Sequence, residues 1–540
     1  MRYDQRSRPV QRIKDVKRLR ARQFGEDAGP LAHAVRPSSY QKIDNFYTAT
    51  VYEKGGEVIR MLKRIIGEDA FARGMALYFE RCDGSAATVE DFIACFVEAS
   101  GRDLGSFMGW YDQAGTPSLT SRGVYDADAR SFELSIVQRT APTPGQTEKK
   151  PLPIPIQLGF IGPDGAPIAA RREGEATPSY EHAIELGGDS AVFRFSGLEQ
   201  RPIPALLRGF SAPVTLEDDL TSEARLAQMA HDPDPFTRWE AGQATARALM
   251  LGEADQETTS AFALALGREL DRAQEDAAFA ALALRLPELS ELILAAPAPD
   301  PAKLFKARED LRCVIASALQ PRLIALAEAR SETPFSPSAE AAGRRGLKSA
   351  ALDLLAALGS QAHDVIWGAY ESAGNMTESV AALEALGASG APSFQPALDQ
   401  FYESWRANPL VIDKWFAIQA AAPRDDALAR VERLRRHPDF ELRNPNRVRS
   451  LAASFAMRNP RAFHAEDGGG YRFIAALAGE ADPLNPALAA RLLTPFESWR
   501  RFDPQRQSHA RAELEQLAAA PSLSKNAREM VERALAGPIM

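Results

Sequence analysis

Histidine, cysteine and carboxylate spacing is where hydrolytic, redox or metal chemistry would first show in a sequence. The chain has seven histidines: His33, His182, His231, His363, His437, His464 and His509. No two stand four apart, so no H-E-x-x-H pair presents two imidazoles on one helix face. The nearest cluster is His464-Ala-Glu466-Asp467, followed by three glycines. A metal or acid/base role there is weighed against a solvated loop with a turn, and the loop is the expectation. The glycine run lacks the Lys and Ser/Thr of a phosphate loop, and no G-x-S-x-G elbow is present. One stretch is unusual: N-F-Y-T-A-T-V-Y-E-K-G-G-E-V-I-R-M, residues 45–61. It sets Tyr47 and Tyr52 before a Glu53-Lys54 pair and then Gly55 and Gly56. Each glycine costs a helix about 1 kcal/mol relative to alanine. Either the backbone is closely approached there or the tyrosines are held for a purpose.

The elements that must position these residues begin with the bulk properties. At 540 residues the chain exceeds one core and calls for about three domains. With 45% hydrophobic and 25% charged residues it is a globular composition. The net charge of −8 argues against a nucleic-acid or anionic-membrane binder. Cys82, Cys95 and Cys313 are too few and scattered for a disulfide scaffold or zinc ribbon, and fit a reducing compartment. The basic N-terminus has no apolar segment behind it and is not a secretory signal. Acidic residues are sparse there, so a transit-like segment is weighed against a solvated helix with Val10, Ile13, Val16 and Leu19 on one face, and the helix is the expectation. No apolar run is long enough to span a bilayer. A cytoplasmic protein is expected.

Residues 1–115 read as helical. Val58, Met61, Leu62, Ile65 and Ile66 keep helical spacing, with Gly67 as a C-cap. A second helix runs through Phe71, Met75, Leu77, Tyr78 and Phe79. Thr88-Val-Glu-Asp91 predicts an N-cap with an acidic N3 residue, and Gly101 closes the helix that follows. Trp110-Tyr-Asp-Gln-Ala-Gly115-Thr-Pro117 reads as an aromatic packing anchor before a turn. The period then changes to two through Phe132, Leu134 and Ile136, through Ile154, Ile156, Leu158 and Phe160, and around Val192 to Phe195. Pro- and Gly-rich turns between these runs predict a small β-sandwich over 116–213. Residues 214–540 are Ala/Leu-rich and helical, broken at D-P-D-P, A-P-A-P-D-P, R-N-P-N and A-D-P-L-N-P. That pattern predicts an α-superhelix. The fold class is therefore multidomain and mainly α.

Three motifs together resemble a known family. F-Y-T-A-T-V-Y-E-K-G-G-E-V-I-R-M, L-Y-F-E-R-C-D-G-S-A-A-T-V-E-D-F and W-Y-D-Q-A-G-T-P are similar to bacterial aminopeptidase N, the alanyl aminopeptidases of the zinc gluzincin metallopeptidases. F-G-E-D-A-G-P-L-A-H-A-V-R-P near the N-terminus and N-P-N-R-V-R-S and A-F-H-A-E-D-G-G-G-Y near the C-terminus extend the resemblance over essentially the whole chain.

The resemblance implies that residues 1–115 are the C-terminal helical part of a thermolysin-like catalytic domain. It implies that the zinc helix, its third glutamate ligand and the segment binding the substrate's amino group precede Met1. By motif, Tyr52 is the catalytic tyrosine. Its phenol, protonated at working pH, donates to the oxyanion formed when zinc-bound water attacks the scissile carbonyl. Tyr47 lines the substrate cleft, and Glu53 is grouped with the substrate-binding residues. Asp44 stands where members carry Asn, a change that alters how the subsite handles charge. Arg491 of N-P-A-L-A-A-R-L matches an arginine reaching from the superhelix toward the cleft, though Ala487 replaces the glutamine four residues earlier. Arg449 of N-R-V-R is a second candidate of that kind. The intact reaction would remove N-terminal residues, Ala among them, from peptides with zinc as cofactor. This chain alone is expected to bind no zinc and to be inactive, with no nucleic-acid or membrane partner. The alternatives are a non-catalytic peptide- or partner-binding scaffold, and a half-enzyme complemented by a separate N-terminal chain. Without that half, an exposed apolar patch is expected before residue 115.

Overall fold

The computed structural model describes residues 7–29, 32–37 and 46–536. The chain divides into two compact units, Met1–Gly242 and Gln243–Met540. The helical, β, helical order expected from sequence is the order observed.

In the first unit, Ser7 caps helix α1 (Arg8–Arg18) by accepting the Val10 amide at 3.4 Å. The apolar stripe forms as its spacing dictates, but the helix is not simply solvated. Ile13, Val16 and Leu19 are buried, and Arg12 is drawn inside with them. Its guanidinium makes a two-pronged contact with Glu57, at 2.5 and 2.6 Å, and donates to the carbonyls of Gly209 and Phe210. A π-helical turn, Leu19–Gln23, leads into α2 (Phe24–Asp27).

Helix α3 (Gly55–Ile66) buries Val58, Met61 and Leu62 completely and stops at Gly67. Helices α4 (Glu68–Cys82) and α5 (Val89–Ser100) pack together. Thr88 and Asp91 form the expected reciprocal cap: Thr88 Oγ1 accepts the Asp91 amide at 3.1 Å, and Asp91 Oδ2 accepts the Thr88 amide at 2.9 Å. Gly101 ends α5 in the left-handed region. In the short helix α6 (Gly109–Asp112), Trp110 is fully buried and its indole N–H donates to Pro153 O at 2.9 Å. Among the described residues before 115, the large apolar side chains exposed are Tyr47, Tyr52, Phe79 and Val97.

The period-two runs become a sandwich of two sheets. One has the order β5 (Arg171–Arg172), β7 (Ser190–Ser196), β2 (Ser131–Thr140), β1 (Pro117–Asp126), β9 (Thr215–Glu217). The other has the order β4 (Pro167–Ile168), β3 (Ile154–Ile161), β6 (Glu181–Leu186), with β8 (Ile203–Leu206) also paired to β3. Alternation turns Phe132, Leu134 and Ile136 of β2 inward against Ile154, Ile156, Leu158 and Phe160 of β3. The Phe160 ring lies 5.7 Å from Phe132 and 4.9 Å from Phe195, closing the two faces on each other. β9 pairs parallel with β1 and runs to Glu217. Helix α7 (Ser222–His231) and the start of α8 (Pro235–Leu251) complete this unit.

The second unit is helical among its described residues. Its helix starts are written locally. Asp300-Pro301, Asn408-Pro409, Asn444-Pro445, Asn459-Pro460, Asn485-Pro486 and Asp503-Pro504 each place an N-cap side chain before a proline in the first turn. Proline suits that position because the first-turn amides lack helical acceptors, and the Asp or Asn oxygen takes up one or two of the amides that follow. Successive helices pack on near neighbours, burying Phe262, Phe394, Phe416 and Tyr471 among others.

Candidate functional site

The unusual stretch forms neither an ordinary helix start nor a loop. Residues Thr50–Lys54 make a π-helical turn that runs directly into α3, with the Gly55 amide reaching back to Thr50 O. The additional residue in that turn advances every side chain relative to an α-helix. Of the two alternatives for Gly55 and Gly56, close approach of the backbone is not what is found. A Cβ on Gly56 would meet nothing within 4 Å, and one on Gly55 would only touch Val35 at an ordinary 3.5 Å.

Tyr52 on the turn and Tyr47 just ahead of it both face solvent. Tyr47 is 58% and Tyr52 61% exposed, their rings stacked at 6.0 Å and 29°. Phe46 meets Tyr47 edge-on at 5.8 Å. The Tyr52 hydroxyl has no hydrogen-bond partner among the described residues. Glu53 is partly exposed, 3.9 Å from Arg18 Nη1. Asp44 lies outside the described residues.

Beneath the rings the turn is pinned by charge. Glu26 accepts the amides of Ala49 at 3.2 Å and Thr50 at 2.8 Å, and the Thr50 hydroxyl at 2.8 Å. Gln23 Nε2 donates to Thr50 Oγ1 at 3.3 Å, and His33 Nε2 lies 2.9 Å from Thr48 Oγ1. At the far end Lys54 is 1% exposed, its ammonium donating to Asp27 Oδ2 at 3.0 Å and Gly115 O at 2.8 Å. Asp27 Oδ2 also accepts the Thr116 hydroxyl at 2.8 Å. Burial pulls the Lys54 ammonium below its ordinary pKa, and the Asp27 carboxylate opposes that. Gly115 has φ 94, and a Cβ there would press within 3.0 Å of Thr140 Cγ2, so glycine is required.

Sequence reasoning passed over Glu26, Asp27, Lys54, Gly115 and Thr116 as site residues, although the quoted motifs contain all five. One signal was available. Lys54 precedes Val58, Met61 and Ile65 at i+4, i+7 and i+11, on the stripe that α3 turns inward.

In the second unit, Arg491 is exposed near the end of helix Pro486–Leu492, with no ion pair among the described residues. Arg449 is also exposed and opens a further π-helical turn, Arg449–Ala453, bonding only within its own motif, to Pro445 O and Asn446 Oδ1. The two arginines' elements pack against each other. Arg447 of the same motif is buried: its Nε donates to Asp413 at 2.7 Å and its guanidinium lies over the Phe416 ring at 4.9 Å.

His464 overturns the expectation of a solvated loop. It is 5% exposed, with Nδ1 2.9 Å from the Tyr471 hydroxyl, and its carbonyl accepts Arg506 Nε at 2.6 Å. Burial, and secondarily Arg506, push its pKa down to about 3. The glycines that follow open helix Gly469–Ala481. A Cβ on Gly470 would fall 2.3 Å from Phe463 O, a close approach that only glycine allows. No group of three His, Cys, Asp or Glu residues is placed to hold a metal among the described residues, so these side chains do not fit the zinc that the resemblance implies.

Comparison with known proteins falls along the same lines. Residues 6–111 match the peptidase family M1 domain. Residues 115–219 match DUF3458, a domain of unknown function with an Ig-like fold, and 222–536 match DUF3458_C, a domain of unknown function with ARM repeats. Aminopeptidase N of Caulobacter vibrioides is 48% identical over 98% of this chain and 61% of its own length. Aminopeptidase N of Escherichia coli is 38% identical over 98% of this chain and 62% of its own. The chain thus spans about three-fifths of these relatives. The crystal structure of Legionella pneumophila aminopeptidase A in complex with aspartic acid superimposes with a TM-score of 0.76 at 29% identity, over 94% of this chain and 59% of that one. With more than half its residues in the ARM-repeat match and the M1 and Ig-like matches ahead of it in order, the chain belongs to the bacterial aminopeptidase N family.

Proposed function

We propose that this chain supplies one wall of the active site of a zinc-dependent aminopeptidase that removes Ala and other residues from peptide N-termini. The observation that carries this reading is Tyr52: a solvent-facing phenol, its hydroxyl without a hydrogen-bond partner among the described residues, on a turn fixed from below. In that role the neutral phenol donates one hydrogen bond to the carbonyl oxygen of the scissile peptide as negative charge develops there. Tyr47, stacked on it, offers an apolar face to the substrate, and Glu53 stands at the rim for its amino end. Arg491 and Arg449 are proposed as further peptide-binding residues, and Asp44 as bordering the subsite of Tyr47.

The domains in this reading are 1–115, 116–213 and 214–540. Zinc and its general base come from residues other than those described, supplied by an N-terminal catalytic half. Three free cysteines support a cytoplasmic setting, and no helix among the described residues is long and apolar enough to cross a membrane.

The test is co-expression with the part of the Caulobacter relative outside the matched region, assayed on alanyl-p-nitroanilide. Turnover is expected from the pair and not from the 540-residue chain alone. Tyr52→Phe in the pair is expected to lower kcat by about 10²–10³ with KM little changed. Wild-type kcat in that variant overturns the assignment. Stoichiometric zinc and hydrolysis by the single chain overturn the need for a second half.

A further inference from the structure

We infer that Glu26, Asp27 and Lys54 are positioning residues for Tyr52, clamping both ends of the π-helical turn that carries it. The inference rests on the reading of Tyr52 above and adds how its direction is set. Tyr52 stacks on Tyr47, but that ring is itself largely exposed and gives the turn little to fix its direction. Here the turn's first amides end on the Glu26 carboxylate, whose two oxygens accept Ala49 N, Thr50 N and Thr50 Oγ1. A carboxylate at a helical N-terminus satisfies donors that would otherwise lack partners and meets the positive end of the peptide dipoles. The last residue of the turn, Lys54, is fixed by Asp27 and the Gly115 carbonyl, at 3.0 and 2.8 Å. Glu26 and Asp27 are neighbours on α2, so one short helix holds both ends of the turn.

The two anchors differ in kind. Glu26 is partly exposed and acts through backbone amides. The Asp27–Lys54 pair has side chains 1% exposed and is locked in turn by Thr116 and Gly115 at the head of β1. A register slip of the turn by one residue would bury Glu53 in place of Lys54 beside Asp27, two carboxylates in one apolar site. The network therefore selects the π-helical register against that slip, and with it the face on which Tyr52 emerges.

The experiment uses the full chain with 3-fluorotyrosine incorporated at position 52, read by ¹⁹F NMR. Glu26→Gln keeps the side-chain shape and Asp27→Asn removes the buried charge. Each is expected to shift and broaden the ¹⁹F line while far-UV circular dichroism stays native. Asp232→Asn breaks a different buried pair of the same unit, with Arg208, and is expected to leave the line in place. In the co-expressed pair, Glu26→Gln is expected to lower kcat about tenfold with KM changed less than about twofold, the pattern of a misplaced reacting group. An unshifted ¹⁹F line in folded Glu26→Gln and Asp27→Asn chains overturns the inference, as does a uniform response that Asp232→Asn shares. Wild-type kcat in Tyr52→Phe removes the catalytic reading of Tyr52 and leaves the ¹⁹F result to decide the positioning separately.

Discussion

The π-helical turns at Thr50–Lys54 and Arg449–Ala453 are the same backbone device stabilised in opposite ways. The first has polar anchors at both ends, with Glu26 on its opening amides and buried Lys54 at its close. The second rests on apolar packing, with Leu451 and Ala452 buried and Arg449 loosely bonded at the surface. Its motif does hold a buried cation, Arg447, but that residue precedes the turn and braces the helix against Asp413. A π-helical turn held by packing alone is thus compatible with a plain structural role. One whose register is set by buried charge has a direction to defend, which is what a reacting side chain requires.

The contrast can be broken most forcefully at Lys54. Lys54→Met leaves Asp27 buried without its cation and is expected to cost about 3–5 kcal/mol in denaturant unfolding of the first unit. A loss below about 1 kcal/mol removes the claim that charge holds this turn.

Next in size is a pH effect confined to the second unit. His464 is neutral in the fold, with its pKa at about 3, against an unfolded value near 6.5. A depressed folded pKa gives stability that is present above about 6.5 and lost as pH falls toward about 3. Between pH 6.5 and 5, before most carboxylates titrate, about 2 kcal/mol should disappear. His464→Gln should flatten that window in parallel urea titrations; an equal slope in the variant assigns it to other groups.

Smaller again, Glu26→Gln should destabilise by about 1 kcal/mol, the scale of a lost cap. Smallest is Arg449→Ala, expected to stay within about 0.5 kcal/mol of wild type. If these last two reverse in size by thermal melt, the two turns are not held as described.

Much of the architecture was legible because its signals are local. The Thr88–Asp91 cap, the Asx-Pro helix starts and the alternation through β2 and β3 need only neighbouring residues to be read. The inward turn of Arg12 and Arg447 was not legible, and Lys54 showed only its place on the α3 stripe, since each of these cations is buried against a carboxylate distant in sequence. Asp27 stands 27 residues before Lys54, and nothing in the spacing announces the pair. The π-helical register was hidden for the same reason, having no propensity of its own. Gly55 and Gly56 drew attention by their helix cost, yet neither is crowded. His464 misled because glycines and acids beside a histidine look solvated, while its ring is packed against Phe463 and Phe502.

The seam at Gly115 has a consequence for how the first unit comes apart. Lys54 reaches its carbonyl, Trp110 donates to Pro153, and Arg12 donates to Gly209 and Phe210, so helices and sandwich are stitched together at several places. Family matches change at residues 111 and 115. Opening the helical segment nonetheless strands a buried carbonyl and two buried cations on either side of that line. Hydrogen exchange should therefore find α3 and β1 protected by one shared opening event, a single cooperative block that spans two evolutionary modules.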